Sequence, residues 1–127
     1  SLGLSQRVVF AGYISDLEKS ALLHAARLYV FPSLYEGFGL PVLEALASGI
    51  PCITSNVSSI PEVVGKAGLL VNPWDVDAIT ATLNRLISDP VLQADLKRKG
   101  PVQAAQFSWQ TCINNTIDVY EGILASS

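Results

Sequence analysis

Charge is what this sequence has least of. Only 15% of its 127 residues are Asp, Glu, Lys or Arg, where an ordinary soluble domain carries about 25%. Eight cations face eleven anions, leaving a net charge of −3 and an isoelectric point near 4.9. Holding nucleic acid takes a field of cations against its phosphates, so no nucleic acid is expected as a partner. Cysteine is scarce too. Cys52 and Cys112 are too few to staple a chain of this length, which excludes a disulfide scaffold. One long uncharged stretch, Ala45 to Pro61, is broken by Gly49, Pro51 and several serines and cannot span a bilayer. The start, Ser1-Leu2-Gly3-Leu4, has neither the basic opening nor the apolar segment of a signal peptide. Two free thiols without a signal peptide point to a reducing, cytoplasmic setting.

What is there is apolar. Half of the residues are hydrophobic and the mean hydropathy is +0.39, enough burial to offset chain entropy and exclude disorder. The length fits one domain, residues 1–127, burying roughly two thirds of the surface of the unfolded chain. No internal repeat or low-complexity linker divides it.

Short apolar runs alternate with helical patterns. Arg7–Ala11 reads as a strand ending at Gly12, Leu28–Phe31 as a second closed by Pro32, Pro51–Thr54 as a third and Leu69–Val71 as a fourth. Ser15-Asp16-Leu17-Glu18 is a capping box, predicting a helix from there to about Ala26. Another helix is expected from about Leu40 to Ser48. Pro41 fits its first turn, where no amide donor is needed, and Gly49 stops it. After Asn72-Pro73 the pattern is helical throughout. Val76, Ile79, Leu83 and Leu86 recur at helical spacing behind Asp75 and Asp77. A further helix follows Asp89-Pro90 to about Ala105. Ser108 caps the last, with Trp109, Cys112, Ile113, Thr116, Tyr120 and Ile123 on one face. Trp74 and Trp109 are expected as core anchors. Together these elements predict an α/β fold, a Rossmann-like parallel sheet with helices on both faces and three helices at the C-terminal end. Ligands of such sheets bind at the carboxyl ends of strands. The loop after Phe31 is one such place.

That loop and the helix behind it carry three coinciding features. Gly37 and Gly39 remove Cβ atoms where a ligand would approach backbone amides. The helix from Leu40 points free N–H groups and a positive dipole end into the loop, which suits phosphate. Glu44 is the only charge between Gly37 and Pro61, in a helix otherwise apolar on every side. A buried carboxylate there needs hydrogen-bond donors. Paired sugar hydroxyls are suitable, and an internal Lys, Arg or backbone amide is the plain alternative. For Glu36, just before the helix, the plain alternative is local capping or loop closure.

Glu36 and Glu44 make a Glu-x7-Glu spacing around Gly37-Phe38-Gly39. With it, in order, come Phe10-Ala11-Gly12-Tyr13-Ile14-Ser15, Ala26-Arg27-Leu28-Tyr29-Val30-Phe31-Pro32-Ser33, Gly49-Ile50-Pro51, Pro61-Glu62-Val63 and Phe107-Ser108-Trp109. The set closely resembles the C-terminal donor-binding domain of GT4-family (group 1) retaining glycosyltransferases, which have the GT-B fold. The resemblance covers nearly the whole chain. Ser55-Asn56-Val57-Ser58-Ser59-Ile60-Pro61-Glu62 is similar to the branch that holds mannosyltransferases of polysaccharide assembly. The resemblance implies a catalytic place for Glu36 beside the donor sugar. It implies ribose binding by Glu44, amides of Gly37, Phe38, Gly39 and Leu40 facing sugar and diphosphate, and the backbone of Ile14 meeting the base. It implies a nucleotide-diphospho-sugar as substrate, no cofactor, and no metal in this site.

It also implies that the acceptor domain, and the Arg and Lys that grip the diphosphate, lie before Ser1, since Arg7 and Lys19 are wrongly placed for that motif. Alone, the piece is expected to bind donor weakly and transfer nothing. The full-length enzyme is expected in the cytoplasm, with peripheral membrane association open to it. The piece is expected to cover its bare sheet edge with another copy.

Other signals are weaker. Asp75-Val76-Asp77 looks like a metal motif but sits where a helix start favours carboxylates. Gly37-Phe38-Gly39 opens like a dinucleotide fingerprint, but Val42 stands where the third Gly belongs, which speaks against a nicotinamide oxidoreductase. A non-catalytic binding module of the same fold is the other alternative, and the Glu36/Glu44 pair speaks against it. His24, beside Leu23 and Ala25, reads as a helix residue rather than an acid–base group. Lys97-Arg98-Lys99 reads as a solvated helix end near Gly100. Glu62 suits the donor cleft or the cap of a short helix.

Overall fold

The structure, a computed structural model, describes residues 3–126; Ser1 and Leu2 of the leader argument lie outside the described residues. Its elements run α1 (Asp16–Ala25), β1 (Tyr29–Phe31), α2 (Leu40–Ala47), β2 (Cys52–Ser55), α3 (Ile60–Val64), β3 (Leu69–Val71), α4 (Val76–Ser88), α5 (Pro90–Ala104) and α6 (Trp109–Ala125). Side chains that take the free amides of a first turn fix several helix starts. The Ser15 hydroxyl and the Glu18 side chain complete the predicted capping box of α1. Asp75, Asp89 and Ser108 cap α4, α5 and α6 by accepting from Ala78, Leu92 and Thr111 amides.

The three strands pair in parallel in the order β1-β2-β3, with Val30 opposite Ile53 and Thr54 opposite Leu70. β2 is central and buried along its length. Its side chains alternate between two cores, as the pleat requires. Cys52 joins Val42, Ala45, Leu46, Ile50, Ile60, Val64 and Ala67 under α2 and α3. Ile53 joins Val71, Leu86 and Leu96, with Ile79 and Leu83 of α4 packed against them. Helices therefore flank both faces, as the alternating pattern predicts. α5 reaches both cores and lies tight on α2: a Cβ at Gly100 would stand 2.7 Å from the Leu46 carbonyl oxygen. Among the described residues no helix is long and apolar enough to cross a membrane.

Three expectations fail. Arg7–Ala11 forms no strand, and Val9 and Phe10 are exposed. A strand exists only where a neighbour takes its N–H and C=O groups. β2 occupies one edge of β1, and among the described residues nothing pairs with the other. Trp74 and Trp109 are not core anchors; both are mostly exposed, one in the turn before α4 and the other at the first position of α6. α6 buries no residue at all, and α1 buries none either. Lys97-Arg98-Lys99 is no helix end, because α5 continues through Gly100 and Pro101 to Ala104. Arg98 and Lys99 both pair with Asp95.

Candidate functional site

The loop from Pro32 to Gly39 leaves the carboxyl end of β1 and feeds α2. Gly39 is the N-cap of α2, at φ 100°. It is buried, and a Cβ there would lie 2.7 Å from Ile60 Cδ1. Both the backbone sign and the packing thus demand glycine. Gly37 differs: a Cβ there would meet no heavy atom within 4 Å. Its missing side chain leaves an open approach to the backbone. Among the described residues the amides of Gly37, Phe38, Gly39 and Leu40 donate to no acceptor, and Pro41 has none to donate. These amides run from the loop into the start of α2, an arrangement that suits anions.

Serines hold the loop in this shape. Ser33 Oγ donates to Glu36 Oε1 at 2.8 Å, and the Glu36 amide donates to Ser58 Oγ at 3.1 Å. Ser59 Oγ reaches the Glu36 and Phe38 carbonyls at 3.0 and 2.9 Å. Ser58 itself takes φ 52°, unusual for a residue with a side chain. The Phe38 ring meets Phe107 edge to face at 5.6 Å. Half of the plain alternative for Glu36 is therefore real: one oxygen closes the loop onto Ser33. The other, Oε2, has no partner among the described residues.

Glu44 departs from expectation. It is not a buried, stranded carboxylate. It lies on the exposed side of α2, with its side chain 45% accessible, and it is ion-paired. Lys19 Nζ stands 3.1 Å from Oε1 and 2.9 Å from Oε2. The plain alternative, an internal Lys, is what the structure contains. α2 keeps a solvent-facing stripe here, and α1 meets this side of the core through the ion pair and the half-buried Leu23. Glu44 raises the pKa of Lys19, mainly through their hydrogen bond and then through that of Asp16. Nearby, burial pushes the Tyr29 hydroxyl up to about 12, with Cys52, Glu44 and Glu36 adding smaller contributions.

Glu36, Gly37, Phe38, Gly39 and Leu40 thus sit together, with Glu44 in the second turn of the same helix. Ile14 stands apart, half-buried ahead of the Ser15 cap, on a shallow groove formed with Glu18, Ala21, Leu22 and Ala25. The ion pair of Lys19 and Glu44 links the two parts. Sequence reading gave no role to Lys19, Ser33, Ser58 or Ser59. The serines stood inside quoted patterns, but Lys19 meets Glu44 across 25 positions and left no local signal. His24 Nδ1 donates to its own helix's Ser20 carbonyl, 2.8 Å away. Glu62 lies exposed in the first turn of α3. Among the described residues no group of three His, Cys, Asp or Glu is placed to hold a metal ion.

Comparison with known proteins follows this geometry. The family described as glycosyl transferases group 1 matches residues 1–103. An O-antigen chain mannosyltransferase B of Escherichia coli is 47% identical over 112 residues, covering 88% of this chain and 29% of its own length. A sucrose-phosphate synthase from Thermosynechococcus elongatus superimposes with a TM-score of 0.83 at 33% identity, over 98% of this chain and 32% of that one. The Anabaena protein Alr3699/HepE, solved in complex with UDP, superimposes with a TM-score of 0.79 at 26% identity, over 98% and 34%. The chain spans about a third of the length of these relatives. Both solved neighbours have the GT-B fold. The chain belongs to the group 1 glycosyl transferases.

Proposed function

We propose that this chain is the donor-binding domain of a longer retaining glycosyltransferase that moves a sugar, with mannose the leading candidate, from a nucleoside diphosphate to a glycan or lipid-linked acceptor. The observation that carries the reading is the loop of Glu36 to Leu40, whose amides from Gly37 onward have no acceptor among the described residues and lead into the start of α2. The UDP of one structural neighbour and the mannosyltransferase name of one relative support it.

In this reading each group has a task. The amides of Gly37, Phe38, Gly39 and Leu40 take the departing diphosphate and sugar oxygens. They are fixed before the reaction, so stabilising the developing charge needs no reorganisation. Losing one such donor costs enzymes about 3 kcal/mol of barrier. Glu36 keeps Oε2 available for donor-sugar hydroxyls and for positive charge at the ring, while Ser33 fixes its other oxygen. Glu44 accepts the ribose hydroxyls, and the backbone at Ile14 meets the base. Anomeric configuration is kept by same-face substitution. The acceptor site and the diphosphate-gripping Arg and Lys belong to the rest of the enzyme, which works in the cytoplasm, and this chain alone transfers nothing. No metal or cofactor takes part.

The test is kinetic, on the longer enzyme. Glu44→Ala should weaken donor binding roughly tenfold, in keeping with a charge-assisted hydrogen bond, with turnover changed less. Glu36→Ala should lower turnover by at least about a hundredfold with donor affinity nearly kept. Unchanged donor affinity in the first variant contradicts the ribose role. Near-normal turnover in the second removes Glu36 from the chemistry.

A further inference from the structure

Lys19 is a cation tied to the loop-and-helix site, held between two carboxylates. It donates to Glu44 Oε1 at 3.1 Å, stands 2.9 Å from Oε2 as an ion pair, and lies 3.3 Å from Asp16 Oδ1. Asp16 sits at the first position of α1, one turn before Lys19. The ammonium is therefore held from its own helix on one side and from α2 on the other.

The count on Glu44 points the same way. An ionised carboxylate has about four acceptor positions, two on each oxygen. Lys19 bonds Oε1 and stands beside Oε2, and among the described residues no other donor reaches either oxygen. Acceptor capacity therefore remains on the carboxylate for ligand hydroxyls. The side chain of Glu44 is 45% accessible, so that capacity opens to solvent. A glutamate held at both oxygens also loses little rotamer freedom when a diol arrives.

We propose that Lys19 is a positioning residue of the nucleoside subsite. It holds the Glu44 carboxylate in place for the vicinal ribose hydroxyls. This rests on the donor-site reading above. It joins α1, and with it Ile14, to the ligand through a single ion pair.

The test is an NMR titration of the labelled 127-residue chain, a size at which millimolar binding is readable from amide shifts. The probes are uridine and guanosine diphosphate and their 2′,3′-dideoxy forms. The wild-type chain should prefer the ribose forms. Lys19→Ala should bind them roughly two- to fivefold more weakly, the range of an exposed ion pair, and should bind the dideoxy forms as the wild type does. Lys19→Ala added to Glu44→Ala should cost nothing further, and Lys19→Arg should restore part of the preference. If Glu44→Ala loses the ribose preference and Lys19→Ala keeps it, the positioning role falls and the ribose role stands. If Lys19→Ala weakens ribose and dideoxy forms equally, Lys19 acts on the diphosphate instead. If it binds more tightly, the ion pair competes with the ligand, and the proposal is overturned. Equal binding of ribose and dideoxy forms by the wild type, or no binding at all, sinks the donor reading and this inference with it. Unchanged α2 amide shifts in free Lys19→Ala verify that the fold is intact.

Discussion

Cys52 and Tyr29 make the sheet interior sensitive to alkali. Cys52 is wholly buried on the central strand, and its thiol donates to the Ile50 carbonyl at 3.1 Å. Burial pushes it from 9.0 to about 12. Tyr29, half-buried on β1 and stacked on Phe31, goes from 10.0 to about 12, again chiefly by burial. Both groups stay protonated in the folded chain at a pH where the unfolded chain has begun to lose those protons. Stability therefore holds in full below the unfolded value near 9, and falls as pH climbs from there toward about 12. Thermal melts across that range should show the midpoint dropping with pH. Cys52→Ala should flatten the part that starts near 9, and Tyr29→Phe the part that starts near 10. The slopes are the readout, because Cys52→Ala also leaves a small cavity that lowers every midpoint. Slopes unchanged in both variants would contradict the burial account. At this scale the sequence picked out Glu36 to Leu40, which the structure holds in one loop, and misjudged one environment. Glu44 stood out as a lone charge, but its burial was inferred from helix neighbours alone. Lys19, on another helix, changes the answer.

At the scale of elements, what was legible is what local chemistry decides. The Ser15, Asp75 and Ser108 caps, the proline after Asp89 and the glycine after Ser48 mark their boundaries within a residue or two, because each acts on its own turn. Arg7–Ala11 was not legible. Its run of β-formers states a preference, and only a neighbouring strand can satisfy it. α6 is the complementary case. Its cap and apolar stripe were readable, yet no residue of the stripe is buried. An unsupported helix of 17 residues is marginal in water. Its amides should exchange with solvent much faster than those of α2 and α5, whose faces form the core. Removing residues 108–127 should shift the melting midpoint by no more than roughly 3 °C, since no buried contact is lost and Phe107 stays on Phe38. A drop beyond about 8 °C would mean that α6 carries stability its exposure does not reveal.

For the molecule as a whole, scarce charge and bare apolar surface belong together. Val9, Phe10, Tyr13 and Leu17 are between 81% and 100% exposed at one end of the chain, and Trp109, Val119, Tyr120 and Leu124 between 60% and 78% at the other. Patches of this kind on a soluble monomer mark surfaces that something covers. In the proposed enzyme, about three times as long, the remaining chain would have ample area to do so. In the isolated chain a second copy is the nearest cover, and a net charge of −3 sets up little repulsion against it. The open edge of β1 adds unpaired N–H and C=O groups to the same tendency. Light scattering should therefore give a mass above 13.5 kDa that rises with concentration. Salt should leave the association intact or strengthen it, because the contact is apolar and screening removes the small repulsion. Phe10→Glu with Tyr120→Glu should return the mass toward the monomer without altering the fold, since both side chains point into solvent. A strictly monomeric chain at high concentration would show that these surfaces are tolerated bare, and the low charge would then be a property of the domain itself rather than of its place in a larger enzyme.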